Sequence, residues 1–260
     1  MRTPRVHVDL PLAAGARVTL PAAQSQHLTL VLRLAAGDPV TLFNGNGRDY
    51  DARLLDAHRT GTAVACEAAG DEEPIPALRI HLGIGISKGD RMDFALQKAV
   101  ELGVAGIVPL FTGRSVVRLD PERLVKRHAH WVGVMIAACE QSGRRRLPGL
   151  GQAARLEDWL TLGHPGGILL DHRSAMPLPA LPAPAGDITL LVGPEGGLSE
   201  LERAAARAAG FTGVCLGPRI LRTETAPLAA IAAIQALWGD FSRWTQGVGT
   251  SSQTKSQTIP

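Results

Sequence analysis

The sequence predicts a small β domain followed by an α/β domain whose mainly parallel sheet is flanked by helices. Three observations predict it. Short β-type runs broken by turn formers fill residues 1–70, a polar and proline-stiffened stretch Asp71-Glu72-Glu73-Pro74-Ile75-Pro76 follows, and from Leu78 strands alternate with helices. The chain therefore divides into residues 1–70, a linker at 71–77, a domain over 78–244 and a polar tail at 245–260, which lacks apolar periodicity and is expected to be disordered.

In the first domain, strands are expected at Arg5–Val8, Arg17–Leu20, Pro39–Phe43, Asp49–Leu55 and Thr62–Glu67, with a short helix around Gln24–Leu32. Asn44-Gly45-Asn46-Gly47 tolerates positive φ and closes a hairpin between two of them. In the second domain, Leu78–Ile86 and Gly106–Phe111 read as strands around a helix at Arg91–Leu102, ended by Gly103. Asp120 and Pro121 supply an N-cap and first helical residue for a long helix that Gly143 stops. Gly167–Asp171, Ile188–Val192 and Gly213–Leu216 are further strands, with Met176–Pro184 an extended connector. Ser199 and Glu202 form a capping box for a helix ended by Gly210, and a last helix runs from about Ala226 to Gly239.

Composition excludes several classes. Of 260 residues, 45% are hydrophobic and 20% charged, an ordinary balance for a globular chain. No apolar stretch reaches the roughly 20 residues a membrane helix needs, and no charged region followed by an apolar stretch opens the sequence, so a secretory signal is not expected. Cys66, Cys139 and Cys215 stand apart without a C-x-x-C pair, which argues against zinc and disulfides and fits a reducing cytoplasm. His128 and His130, two apart on a helix, point to different sides and cannot share a metal. There is no P-loop, and Gly83-Ile84-Gly85-Ile86-Ser87-Lys88 carries lysine where a dinucleotide fingerprint needs glycine, which disfavours a dehydrogenase. The net charge is only +3, but Arg144-Arg145-Arg146 is a local basic run that suits either a polyanion or a solvated surface.

The chemistry concentrates near the C-terminus. One strand feeds Gly193-Pro194-Glu195-Gly196-Gly197 and the next feeds Gly217-Pro218-Arg219-Ile220-Leu221-Arg222-Thr223-Glu224-Thr225. Each loop leads into a helix, where glycines let backbone approach a ligand and free N–H groups face it. Two such strand ends in a parallel sheet would line one crevice at its carboxyl edge.

Leu191-Val192-Gly193-Pro194-Glu195-Gly196-Gly197-Leu198 followed by Leu216-Gly217-Pro218-Arg219-Ile220-Leu221-Arg222-Thr223-Glu224-Thr225-Ala226 resembles the paired signature of the RsmE family, within the SPOUT superfamily. His27 with Val31-Leu32-Arg33, Lys88-Gly89-Asp90-Arg91-Met92, Gln97–Val104 and Ala138–Arg144 resemble further segments of that family, in order over residues 1 to 240. The resemblance implies a PUA-like β-barrel that reads RNA, then a trefoil-knotted domain binding S-adenosylmethionine. It implies methylation of uridine N3 in small-subunit (16S) ribosomal RNA, naked or in the assembled 30S subunit, by a cytoplasmic homodimer without a metal. Methylation of a ribose 2′-hydroxyl or another base on the same fold is the alternative, and a non-catalytic RNA-binding protein is a different class.

On this resemblance, the cofactor would meet Leu170, Leu191, Leu216, Gly217, Ile220, Leu221, Arg222 and Thr225, with Gly193, Gly196 and Gly197 bringing backbone close. Two roles are open to Glu195: facing the cofactor, or capping its own helix. Because uracil N3 must lose a proton, a stabilising cation and a base are needed. Arg222 fits the cation; Glu224 is either the base or the partner that holds Arg222. Arg33, Lys88, Arg91, Arg114, Arg118 and Arg144 are the candidates for holding RNA.

Overall fold

The computed structural model describes residues 3–115 and 120–242. Arg118 and the tail at 245–260, with the end of the second domain at 244, lie outside the described residues.

The first sheet contains β1 (Arg5–His7), β2 (Arg17–Thr19), β3 (Pro39–Phe43), β4 (Asp49–Leu54) and β5 (Ala63–Ala69), ordered β1-β3-β4-β5-β2. Only β1 and β3 run parallel. No ladder joins the edge strands β1 and β2, three residues each, so the sheet curls as a half-barrel rather than closing. Side chains alternate along the strands, so Val6, Leu42, Leu54 and Val64 share one buried face. Asn46 turns the β3–β4 hairpin, its N–H bonded to Asn44 Oδ1 and its own Oδ1 accepting from Arg48 N–H. The helix expected over Gln24–Leu32 is two pieces, α1 (Ala22–Gln26) running into a π-helical turn at His27–Val31.

The second sheet is parallel throughout. Its strands are β6 (Ile80–Gly85), β7 (Gly106–Phe111), β8 (Gly149–Leu150), β9 (Ala154–Arg155), β10 (Gly167–Leu170), β11 (Ile188–Val192) and β12 (Thr212–Val214). They are ordered β12-β10-β11-β6-β7-β8, with β9 also on β7. The helices are α2 (Asp90–Glu101), α3 (Pro121–Ser142), α4 (Leu156–Leu160), α5 (Glu200–Ala208) and α6 (Thr225–Leu237). Residues of α2, α3 and α6 cover one face, where Ile188, Leu190, Met92, Trp131 and Ile231 are buried together. Residues of α4 and α5 cover the other, around Leu169, Leu191, Trp159, Ala206 and Phe211. The caps are those the sequence specifies: Asp120 accepts from Arg123 N–H at 2.8 Å, Gly143 adopts φ 84°, and the Ser199–Glu202 box is complete. β8, β9 and α4 were not foreseen.

An unexpected role belongs to the arginine run. Arg144 is largely buried and donates to the carbonyls of Val100, in the last turn of α2, and Val104, just beyond it, at 3.0 and 2.8 Å. Its guanidinium is therefore spent inside the protein, which corrects its expected place on RNA. The N–H groups of Arg145 and Arg146 both donate to Glu73 Oε2, at 2.6 and 2.8 Å, and Arg146 pairs with Glu72. The acidic linker is thus strapped to the end of α3. Arg5, from the first sheet, strengthens the same junction: it donates to Cys139 O at 2.6 Å, pairs with Asp49 at 2.7 Å and lies over the Phe43 ring.

Replacing Glu73 with alanine strands two backbone donors at this junction. The expected cost is roughly 1–3 kcal/mol, seen as a lower urea midpoint, with faster proteolysis across residues 70–77.

Candidate active site

Adjacent strands β12, β10 and β11 end side by side, and the loops leaving them enclose one cleft of about 430 Å³. That volume falls within the roughly 300–1,000 Å³ typical of small-molecule sites. The sheet's carboxyl edge is where parallel α/β folds open a crevice, because successive loops diverge there.

The two glycine loops face each other across this cleft. Gly193, Glu195, Gly196 and Gly197 line it from β11; Leu216, Gly217, Ile220, Leu221, Arg222 and Glu224 line it from β12, and Leu170 from β10. A Cβ on Gly193 would sit 2.9 Å from the Leu198 nitrogen, against backbone that has no room to move. Gly217 adopts φ 87°, where a side chain is strained. Two expected contacts lie elsewhere. Leu191 is fully buried on the α4–α5 face, since the strand's alternation turns Leu190 and Val192 to the opposite side. Thr225 is exposed on the first turn of α6 and does not line the cleft.

Three strand ends are joined by hydroxyls. Buried Thr223 donates to the Gly193 carbonyl at 3.1 Å, and buried Ser87, just past β6, lies 3.2 Å from Thr223 Oγ1. β6 also meets the β11 loop directly, because a Cβ on Gly85 would collide with the ring of Pro194. Neither Thr223 nor Ser87 was singled out in the sequence, although Thr223 sits inside the quoted motif.

Two carboxylates face the cleft with unfilled capacity. Glu195 Oε1 accepts from Lys88 N–H at 3.0 Å and lies 3.5 Å from Arg91 Nη1, while its Oε2 is buried without a partner. Glu195 therefore caps no helix of its own; Ser199 caps α5. Burial opposes ionisation of Glu195, but the N–H groups, Arg91 and Ser87 outweigh it and hold the carboxyl below its ordinary value. Glu224 makes no side-chain cap on α6, and its Oε2 too is buried and unpartnered. No ion pair joins Glu224 to Arg222 among the described residues, so the expected pairing is absent; the Arg222 side chain is exposed at the cleft.

Further cations ring the opening. Arg91, Arg114, Arg173 and Arg219 line it, the last two unforeseen. Arg114 donates to the Gly196 carbonyl at 3.1 Å, bracing the β11 loop. Arg33 is distant in sequence and exposed, with φ 57°, the one positive φ outside glycine among the described residues. Cys139 is buried, and burial pushes its thiol up to about 11, so it is no nucleophile. Among the described residues no group of three or more His, Cys, Asp or Glu is placed to hold a metal, and no helix is long and apolar enough to cross a membrane.

Glu202 fixes the loop from behind. It accepts from Ser199 N–H and Gly113 N–H, both at 2.7 Å, tying the start of α5 to the turn that carries Arg114. Burial raises its pKa, but these N–H groups and Arg114 outweigh burial and leave it below 4.5. The folded state thus favours the carboxylate, giving stability that is present above pH 4.5 and lost as pH falls through the lowered value. Glu202→Gln should lower the melting temperature at neutral pH, and the gap from wild type should close on acidification; a constant gap would place the effect elsewhere.

Comparison with known proteins gives a consistent picture. Residues 73–235 match the family described as an RNA methyltransferase domain, and residues 20–61 match an RNA methyltransferase PUA domain. The chain is 32% identical over 243 residues to ribosomal RNA small subunit methyltransferase E of Buchnera aphidicola subsp. Schizaphis graminum, covering 93% of this chain and 99% of that one. It is 35% identical to the Synechocystis protein of the same name, over 85% of this chain and 74% of that one. Among solved structures, the Neisseria gonorrhoeae ribosomal RNA small subunit methyltransferase E bound to S-adenosyl methionine superposes with a TM-score of 0.86 at 41% identity, covering 92% of this chain and all (100%) of that one. A putative methyltransferase from Legionella pneumophila in complex with the cofactor SAM superposes with a TM-score of 0.88 at 35% identity, with the same coverage.

Proposed function

The chain belongs to the ribosomal RNA small subunit methyltransferase E family, and on that premise we propose that it methylates N3 of a uridine in 16S ribosomal RNA with S-adenosylmethionine as donor. The observation that carries this reading is the single cleft shared by the Gly193–Gly197 and Gly217–Glu224 loops.

The cleft fits that cofactor on its own chemistry. The buried carboxylate oxygen of Glu195 wants a donor or positive charge, which a sulfonium, an ammonium or an adenine amino group provides. Leu170, Leu216, Ile220 and Leu221 give apolar surface for a purine, and Gly193, Gly196, Gly197 and Gly217 keep the backbone free of side chains. When bound, the cofactor supplies a methyl group on a sulfonium, open to displacement by a nitrogen nucleophile.

The chain's residues then prepare the uracil. Arg222, always charged and without an ion pair among the described residues, orients the uracil oxygens and stabilises the anion left when N3 is deprotonated. Glu224 Oε2 takes the N3 proton, a role opened by the lack of a bond to Arg222. N3 lies on the pairing edge, so the nucleotide enters unpaired or flipped out. Arg91 and Arg114 at the opening hold the flanking phosphates, exposed Lys88 adds a further cation, and Arg33 contacts RNA from the first domain.

The division of labour follows the two sheets: residues 1–70 read RNA, 71–77 link and 78–244 carry methyl transfer around a trefoil knot. We further propose a cytoplasmic homodimer with the site near its interface, acting on RNA within the 30S subunit. Exposed Ile220, on the cleft loop, offers apolar surface for such a contact.

Small-subunit RNA from a strain lacking the enzyme should gain 3-methyluridine on treatment with the protein and S-adenosylmethionine, read by nucleoside mass spectrometry. A ribose-methylated product would move the target to the 2′-hydroxyl. Arg222→Ala should cut turnover roughly 10²–10³-fold while calorimetric cofactor affinity changes far less. Equal losses in both would reject its role on the uracil.

A further inference from the structure

Arg222 reaches the cleft on an exposed side chain with no ion pair of its own among the described residues, so its aim depends on where its backbone is held. Two anchors hold that backbone. On one side, the Arg222 carbonyl accepts the N–H groups of Thr225 and Ala226, both at 2.9 Å, which fixes it to the first turn of α6. On the other, the very next residue, Thr223, turns inward and is 8% exposed, its hydroxyl bonded to the Gly193 carbonyl. Ser87, 4% exposed, completes the contact from the end of β6.

We propose that Thr223 is a positioning residue for methyl transfer: through its hydroxyl it locks the Arg222 loop onto the β11 loop, and this bond sets where the guanidinium is carried. The inference rests on the methyl-transfer reading above and deepens it. A valine has nearly the shape of threonine but cannot donate. It removes the hydroxyl's bond to the buried Gly193 carbonyl, and the cheapest relief is for the 217–224 loop to shift. A shift of about 1 Å at a positioned group is enough to cost on the order of 10²-fold in rate. Thr223 lines the cleft, but its hydroxyl is engaged by Gly193 and Ser87 rather than by a reacting atom, so its effect passes through Arg222.

The test is a double-mutant cycle on the full-length protein, measuring calorimetric affinity for S-adenosylmethionine and single-turnover methylation of unmodified small-subunit RNA. Thr223→Val should slow methyl transfer roughly 10–100-fold, and Thr223→Ser, which keeps the donor, should restore most of the rate. In an Arg222→Ala background, Thr223→Val should cost nothing further, because the group it positions is gone. An unchanged rate in Thr223→Val, or the same fold-loss in both backgrounds, overturns the proposal while leaving the enzyme's activity established. If Thr223→Val does not fold, Thr223→Ala, which also lacks the donor, carries the same expectation and is overturned by the same outcomes. A wild-type protein that forms no methylated nucleoside overturns the methyltransferase reading, and this proposal with it.

Discussion

The parallel pairing of β10 with both β11 and β12 is the constraint on which the site depends. Three adjacent strands running the same way must end on the same edge, so their loops compete for the same space and close around it. The 3.1 Å bond from Thr223 to Gly193 turns that proximity into fixed geometry. Glycines make the approach possible: at Gly193 and Gly85 a methyl group would meet backbone or the Pro194 ring. The same crowding leaves oxygens of Glu195 and Glu224 buried without donors, a cost that a bound ligand offsets.

Charge in this chain is sorted by depth rather than by sequence position. Arg144 donates to the carbonyls of Val100 and Val104, and Asp171, buried just past β10, is met by Arg207 at 2.8 Å and Arg203 at 3.7 Å. These cations stabilise the scaffold. Arg222 and Arg219 carry their charge at the cleft instead, where a polyanion can reach it. The modest net charge of +3 conceals this separation.

Much of the fold was legible because it is written in local stereochemistry. Asp120-Pro121, Ser199 with Glu202, Gly103 and Gly143 each have a conformational reason to sit at a helix end, and each does. β8 and β9, at two residues each, and α4, at five, carry no period long enough to read. The cleft loops were legible from their glycines and from the motif they share. Leu191 was misplaced because alternation along a strand gives a period but not its phase. Arg144 was misplaced because a run of like charges does not name its partners, and here the partners are carbonyls 44 and 40 positions away. Thr223 and Ser87 were overlooked because a buried hydroxyl in sequence looks like any other.

The strap that Arg145 and Arg146 place on Glu73 has a consequence beyond stability. A floppy tether would let the two halves of the protein sample many separations, and any RNA offering both a grip and a uridine would satisfy it. A tether held down at Glu73 works as a calliper of preset span. On the proposed reading, an RNA fold is accepted only when its own architecture matches that span, so selectivity for one nucleotide can arise from distance as well as from contact with the base.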